Sequence, residues 1–561
     1  MKITQLFAGL LMCGALAACG GGSSGSSSGT LTVSPASVSV AAGSTQLYTV
    51  TNGTGDTITW QVNGITGGNA SVGTISSGGL YTAPDVPPVS QPVSITAMQD
   101  SNTGSAAATV TYSNASLNGQ FVFTFSELSG GVTTNAVGLI TADGSGNITG
   151  TENVSGISNP VSVSGHYSLS ANGQGTLTID GGNAGTLTLT LSLVAGATEG
   201  ILTDATSGNV GGGTLYLQTG QVNMGTDLNG NYTVSLGASA FASNNNSIGI
   251  ITLTSPTITG TNFDVNNGGA YTLYNTVGGS YMVVSENYGT LSLTLGTTTT
   301  HYVFYAVSPS QLELMCTDTS CTNTGELDAQ STQAVSAGTY VYELIGSGTG
   351  QTPDALMGIG SVTPTSATTG SMNLTMFENY NGSYLSITNG TTYTLSTTGR
   401  GMTILPTPFG PGSRNFVFNV QSAGNLNFLE TSSGFGNTTG FAIATQGMTT
   451  VPAGQYLLTT INQIPNTQSI GTTQAILQVS SSGQVTGQEL VNTNGSIPPV
   501  TSVSGSIAAL NVAGTFAMTL NLSGGQTASY VLAVVVPGDM TVLRSDSAVD
   551  AGSLIVQYET Q

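Results

Sequence analysis

From Leu31 onward the chain alternates apolar and polar residues in short runs, as in LTVSPASVSVAAGSTQLYTV (from Leu31) and HYSLSANGQGTLTI (from His166). A period of two sends one face of a strand into a core and the other toward solvent. Turn residues separate the runs, as in ADGSGN (from Ala142) and SANGQG (from Ser170). No later window carries the 3.6-residue period of an amphipathic helix, so the pattern predicts an all-β protein.

Residues 31–113 read as one module of about seven short strands, with phrases ITWQVNG (Ile58), GTISSGGLYTAP (Gly73), VSITAMQD (Val93) and AATVTY (Ala107). Strand number and length predict an immunoglobulin-like sandwich with Trp60 in its core. The order of these phrases resembles the bacterial Ig-like (BIG-type) domains of surface proteins. In such domains the tryptophan of TWxV is core and GLYTAP forms a turn and strand. The absence of a Cys pair around Trp60 fits the bacterial type.

Past this module the chain repeats itself. LNGQFVFTF (Leu117), LNGNYTVSL (Leu228), SAGTYVYEL (Ser336) and PAGQYLLTT (Pro452) place Gly119, Gly230, Gly338 and Gly454 at spacings of 111, 108 and 116. A second landmark, Gly150, Gly260, Gly370 and Gly487, recurs at 110, 110 and 117. Three copies share a tyrosine eight residues before a glycine: Tyr167, Tyr281 and Tyr393. Each copy closes on a strand ending in Gln, in GTLYLQ, GELDAQ, GFAIATQ and GSLIVQ. Such a period is too long for a solenoid unit. Each copy is therefore expected to be a domain with its own core, bounded at 114–224, 225–333, 334–449 and 450–561. About eight strands joined by short turns predict an antiparallel meander closed into a small barrel, with a two-sheet sandwich as the alternative.

At the amino terminus, Lys2 and the apolar run Leu6–Leu16 form a signal-like segment too short to span a bilayer. It ends in Leu16-Ala17-Ala18-Cys19, which resembles a bacterial lipobox; an ordinary secretory signal is the alternative. The resemblance implies cleavage after residue 18, lipid on Cys19 and attachment to the outer membrane. The glycines and serines of 19–30 then form a tether. Taken whole, the chain resembles bacterial lipid-anchored surface proteins with an N-terminal BIG-type domain and tandem β-repeats.

Composition narrows function. Only 5% of residues are charged, and the basic ones are Lys2, Arg400, Arg414 and Arg544. That leaves nothing to neutralise a phosphate backbone, so nucleic acid is excluded as a partner. Removal of the signal leaves no lysine for Schiff-base chemistry. His166 and His301 belong to different copies, so no shared catalytic or zinc site is expected, and no cofactor. Cys316 and Cys321, in LELMCTDTSCTNTG, suit a hairpin disulfide in an oxidising compartment. Asp143, Ser145 and Asn147 stand at alternating positions, like the start of a calcium loop, but the distal ligands are missing and a hairpin turn is expected.

Two sets remain as binding candidates. One acidic residue recurs per copy, Glu152, Asp264, Glu378 and Glu489, as a ligand or cation contact or as a cap on backbone amides. Tyrosines cluster in copy two (Tyr271, Tyr274, Tyr281, Tyr288) and copy three (Tyr380, Tyr384), either as faces for stacking on sugar rings or as packing. These features point to a non-enzymatic, lipid-anchored cell-surface protein for adhesion or for binding an envelope glycan or surface protein. A structural spacer of the envelope is the alternative, and a glycan-active enzyme a third.

Overall fold

The computed structural model describes residues 30–560, apart from 54–55, 158, 224–227, 238–244, 349–351, 410–412, 423, 433–435, 446–448, 464–469, 494, 498, 523–524 and 537. Cys19 and its tether lie outside the described residues. Apart from two three-residue 3-10 turns, Asn114–Ser116 and Ala195–Ala197, every named element is a strand.

The four repeats are four closed, eight-stranded antiparallel barrels, which settles barrel against sandwich. Barrel 1 runs from Asn118–Ser129 to Asn209–Leu217, and barrel 3 from Gly338–Ser347 to Thr439–Thr445. In each, every strand pairs with its sequence neighbour and the first pairs with the last. Barrel 2 closes through Gly230–Gly237, which pairs with both Asn245–Thr254 and Thr324–Ala329. Barrel 4 closes through Val549–Thr560, which pairs with both Gly454–Gln463 and Asp539–Arg544. Alternating residues such as Phe121, Phe123 and Phe125, or Tyr340, Tyr342 and Leu344, fill the interiors.

The sequence landmarks have physical causes. A Cβ on Gly150, Gly260 or Gly487 would run into the carbonyl of the preceding strand, at Leu139, Ile250 and Ile476 respectively. Two of the three recurrent tyrosines are latches: the hydroxyl of Tyr167 donates to the Leu117 carbonyl (2.7 Å) and that of Tyr281 to the Leu228 carbonyl (2.8 Å). They tie the fourth strand to the segment that opens their copy.

The barrels have separate cores but are not beads on a string. Apolar side chains bridge barrels 1 and 2 (Val122, Val137 against Val303, Tyr305, Met315) and barrels 2 and 3 (Ile248 against Val417, Leu429). Others bridge barrels 3 and 4 (Met357, Phe377 against Val531, Leu543) and barrels 4 and 1 (Leu457, Ile476 against Val194). Each barrel thus sets its first two strands against the sixth and seventh of the next, and the succession closes into a ring. The same head-to-tail contact used four times is the geometry of a cyclic oligomer, built here within one chain.

Two recurrent polar straps fix the ring. The closing glutamines donate to the sixth strand of the following barrel: Gln218 to Ala306 O (2.8 Å), Gln330 to Val420 O (2.8 Å) and Gln557 to Leu193 O (2.6 Å). The fourth, Gln446, lies outside the described residues. A buried asparagine past each recurrent acid reaches the seventh-to-eighth-strand hairpin of the next barrel. Asn266 donates to Glu430 O and Gly436 O, Asn379 to Arg544 O, Asp546 O and Ala548 O, and Asn492 to Asp204 O and Asn209 O. At the remaining junction Asn153 accepts from the Tyr305 hydroxyl (2.9 Å).

The amino-terminal module packs a five-stranded and a four-stranded sheet around one core that contains Trp60 (6% exposed), Tyr48, Tyr81 and Ile95. It also bridges the seam where the chain's ring begins and ends. Ser90–Gln91 pairs in parallel with the last strand of barrel 4, and the Tyr112 hydroxyl donates to Val194 O of barrel 1.

Candidate functional site

All four recurrent carboxylates lie at buried positions, with Glu152 and Asp264 0% exposed, Glu378 1% and Glu489 7%. The described arginines go to three of these neighbourhoods. Arg400, from barrel 3, grips Asp264 of barrel 2 with two hydrogen bonds (2.6 and 2.7 Å), and Tyr271 donates to the same carboxylate. Arg414 bonds Glu378 (2.8 Å) and Asp354 (2.6 Å) and lies 3.4 Å from Glu430. Arg544 pairs with Asp546 and Asp550 and acts on Glu489 through its charge. Glu152 has no arginine. It accepts from the Ala184 amide (3.1 Å), as the turn-capping reading expects, although the turn it caps belongs to a distant hairpin. Burial, then the charge of Asp354, pushes the Glu378 carboxyl up to about 8, against the pull of Arg414. Asp264 and Glu378 are thus internal ion-pair groups and Glu152 a capping group, and all four recurrent acids are sealed from an external ligand.

The tyrosines do not form one stacking surface. Tyr281 is a buried latch, and Tyr288 (7% exposed) lies against Tyr305 in the contact between barrels 1 and 2. Tyr271 is committed to Asp264. Tyr384 stacks on Phe377, and Tyr380 accepts from Thr352 and lies beside Phe409. Tyr274 is different. It is half-buried and lines a cavity of about 450 Å³ at one end of barrel 2.

That cavity exists because barrel 2 departs from the regular meander. Its third strand breaks into Thr257–Gly260 and Phe263–Asn267, with Asn262 in the left-handed region (φ 61°) between them. The fourth breaks into Ala270–Tyr274 and Val277–Ser285. The displaced hairpin supplies Phe263, Val265 and Tyr274, which face Leu293, Leu295 and Tyr302 across the cavity. Its rim is polar, with Ser247, Thr298, Thr300, Asp318 and Asn323. The Cys316–Cys321 disulfide closes the hairpin at this rim, as the cysteine spacing predicts. His301 is beside it, its Nδ1 3.0 Å from Asp318, while His166 lies on barrel 1. The mouth was missed in the sequence because nothing in YTLYNTVGG (Tyr271) marks a broken strand except its extra turn residues.

Asp143 accepts from the amides of Ser145 (2.7 Å) and Asn147 (3.0 Å) and from the Asn147 side chain, which makes this stretch a hairpin turn. These bonds hold its carboxyl down at about 2.

No protein-family model and no curated protein matches the chain. Among solved structures it is similar to a provisionally named AttH from Nitrosomonas europaea, with 9% identity over 39% of this chain and 93% of that one and a TM-score of 0.15.

Proposed function

We propose that this is a lipid-anchored, non-enzymatic protein of the cell surface that holds an envelope glycan in the mouth of barrel 2. The observation that carries the reading is the cavity itself. An aromatic and aliphatic wall beneath a rim of hydroxyls and amides suits a sugar, whose ring faces stack while its hydroxyls hydrogen-bond. The lipobox-like end of the signal segment and the Gly/Ser tether supply the anchor. The non-enzymatic reading draws on the sealing of the Arg414 ion-pair cluster: its carboxylates are at most 1% exposed, too deep for a substrate to reach. A spacer is less favoured, because four barrels folded back into a ring span less distance than four in a row.

Cys19→Ser should move the protein from the membrane to the soluble fraction. Retention on membranes through a carbonate wash would refute the anchor. On a glycan and envelope-polymer array this soluble variant should bind a defined polymer. Tyr274→Ala should weaken that binding at least tenfold with little change in melting, since the ring is half-buried. Binding that survives Tyr274→Ala and Tyr302→Ala alike would place the site elsewhere.

A further inference from the structure

The outer faces of the barrels converge on the middle of the ring. On each barrel the first, eighth and seventh strands lie side by side, and their register sets out two rows of outward side chains. In one row Ser235 pairs with Glu326 and Glu326 with Glu313 on barrel 2, and Glu343 pairs with Phe441 and Phe441 with Asn427 on barrel 3. In the next row Tyr216 pairs with Glu199 on barrel 1, Asp328 with Gln311 on barrel 2 and Ile555 with Asp539 on barrel 4. Six carboxylates thus lie in these two rows across four barrels: Glu199, Glu313, Glu326, Asp328, Glu343 and Asp539.

No described cation faces them. Arg400, Arg414 and Arg544 are committed to Asp264, to Asp354 and Glu378, and to Asp546 and Asp550. The carboxylates feel one another across barrel boundaries. After burial, the main influences are Asp539 and Glu326 on Glu199, and Asp539 on Glu343. Glu343 is 8% exposed, and its Oε2 accepts no hydrogen bond. Ionising buried carboxylates of this kind is costly unless something neutralises them.

A cavity of about 470 Å³ opens here between barrels 2 and 3, lined by Glu326 and Asp328 and also by Leu236, Phe441, Ile443 and Asn427. Its two carboxylates come from barrel 2, and barrel 3 contributes Phe441 and Ile443 beside the amides of Gln421, Asn425 and Asn427. Among the described residues no three His, Cys, Asp or Glu side chains come together as a metal site. Spaced carboxylate and amide acceptors with apolar side chains among them match amines joined by methylene segments rather than a compact ion.

We propose that the hub of the ring binds a linear organic polyamine, its ammonium groups meeting the carboxylates of different barrels and its methylenes lying on Phe441 and Ile443. This cavity adjoins the mouth of barrel 2 at Leu236, but Glu326 and Asp328 do not line that mouth and Tyr274 does not line this one, so either reading can fail alone.

The test uses the full chain in detergent at pH 8, with spermidine as the probe and ionic-strength-matched NaCl and CaCl2 as controls. Calorimetry should give about one spermidine per chain, and spermidine should raise the melting temperature by at least 5 °C while the controls do much less. Glu343→Gln and Glu326→Gln should each weaken spermidine binding at least tenfold, and Glu152→Gln, inside barrel 1, should leave it unchanged. The double variant Glu313→Gln/Asp328→Asn is a second probe should a single variant fold poorly. Absence of stoichiometric binding, equal binding by the hub variants, or calcium acting as strongly as spermidine would each overturn the proposal.

Discussion

The melting temperature should rise as the pH is lowered from 8 to 5. Burial pushes Glu199 and Asp328 up to about 7, Glu343 and Glu378 to about 8, and Asp539 and Asp550 to about 6. Repulsion from neighbouring carboxylates adds to it in each of these except Asp539. In the unfolded chain these groups titrate near 4. Between about pH 4 and pH 8 the folded protein therefore holds protons that the unfolded chain releases. Stability from this source is complete below the unfolded values and is lost as the pH climbs through 6 to 8. A single pKa unit is worth about 1.4 kcal/mol, and several buried groups contribute. A large cooperative unit moves by only ~1–2 °C per kcal/mol, so a gain of roughly 5–10 °C is expected. Thermal scans from pH 3 to 9 would show it. Glu343→Gln should raise stability at pH 8 and flatten the slope. A flat or rising profile from pH 5 to 8 would contradict the buried, uncompensated state of these carboxylates.

How much of this was legible in the sequence depends on which face of a strand is considered. Inward faces are apolar at every second position, so the eight-strand repeats, their number and their meander order follow from periodicity and spacing, whereas closure into barrels rather than sandwiches does not. The ring is written on the outward faces, where the signal is weaker but present. HYVFYAV (His301) is apolar on consecutive positions: Tyr302, Phe304 and Ala306 enter the barrel core while Val303, Tyr305 and Val307 enter the contact with barrel 1. NFVFNV (Asn415) and YVLAVVV (Tyr530) carry the same doubled pattern in barrels 3 and 4. A strand apolar on both faces is buried on both. The closing Gln was visible as a recurrence, but its partner is a backbone carbonyl in another repeat, which no local pattern names. The carboxylates were hardest. Their recurrence pointed to a role, yet whether a Glu is a surface ligand or an interior group depends on strand register, and a one-residue shift reverses the answer.

Asn379→Ala should be among the most disruptive single substitutions outside the barrel cores. The side chain is 0% exposed, and its amide donates to three barrel 4 carbonyls: Arg544 (2.8 Å), Asp546 (3.2 Å) and Ala548 (2.6 Å). Those carbonyls shape the hairpin that presents Arg544 to Asp546 and Asp550, so removing the donor leaves buried acceptors unmet and loosens an ion-pair cluster with them. Each buried acceptor left unsatisfied costs about 1–3 kcal/mol. Relaxation of the hairpin recovers part of this, so a net loss of roughly 2–4 kcal/mol is expected. Because every barrel leans on two neighbours, the wild-type ring should unfold in one cooperative transition. Asn379→Ala should split it, with barrel 4 released first. Asn492→Ala, at the seam held also by Ser90–Gln91 and Tyr112, should cost less. Calorimetry of the three proteins decides it. Four separate wild-type transitions, or a loss below about 0.5 kcal/mol for Asn379→Ala, would show that the barrels merely touch. The same contacts predict the behaviour of an excised barrel 2. Deprived of barrels 1 and 3, it exposes Val303, Tyr305, Val307, Met315 and Ile248 together, and it should self-associate rather than persist as a monomer.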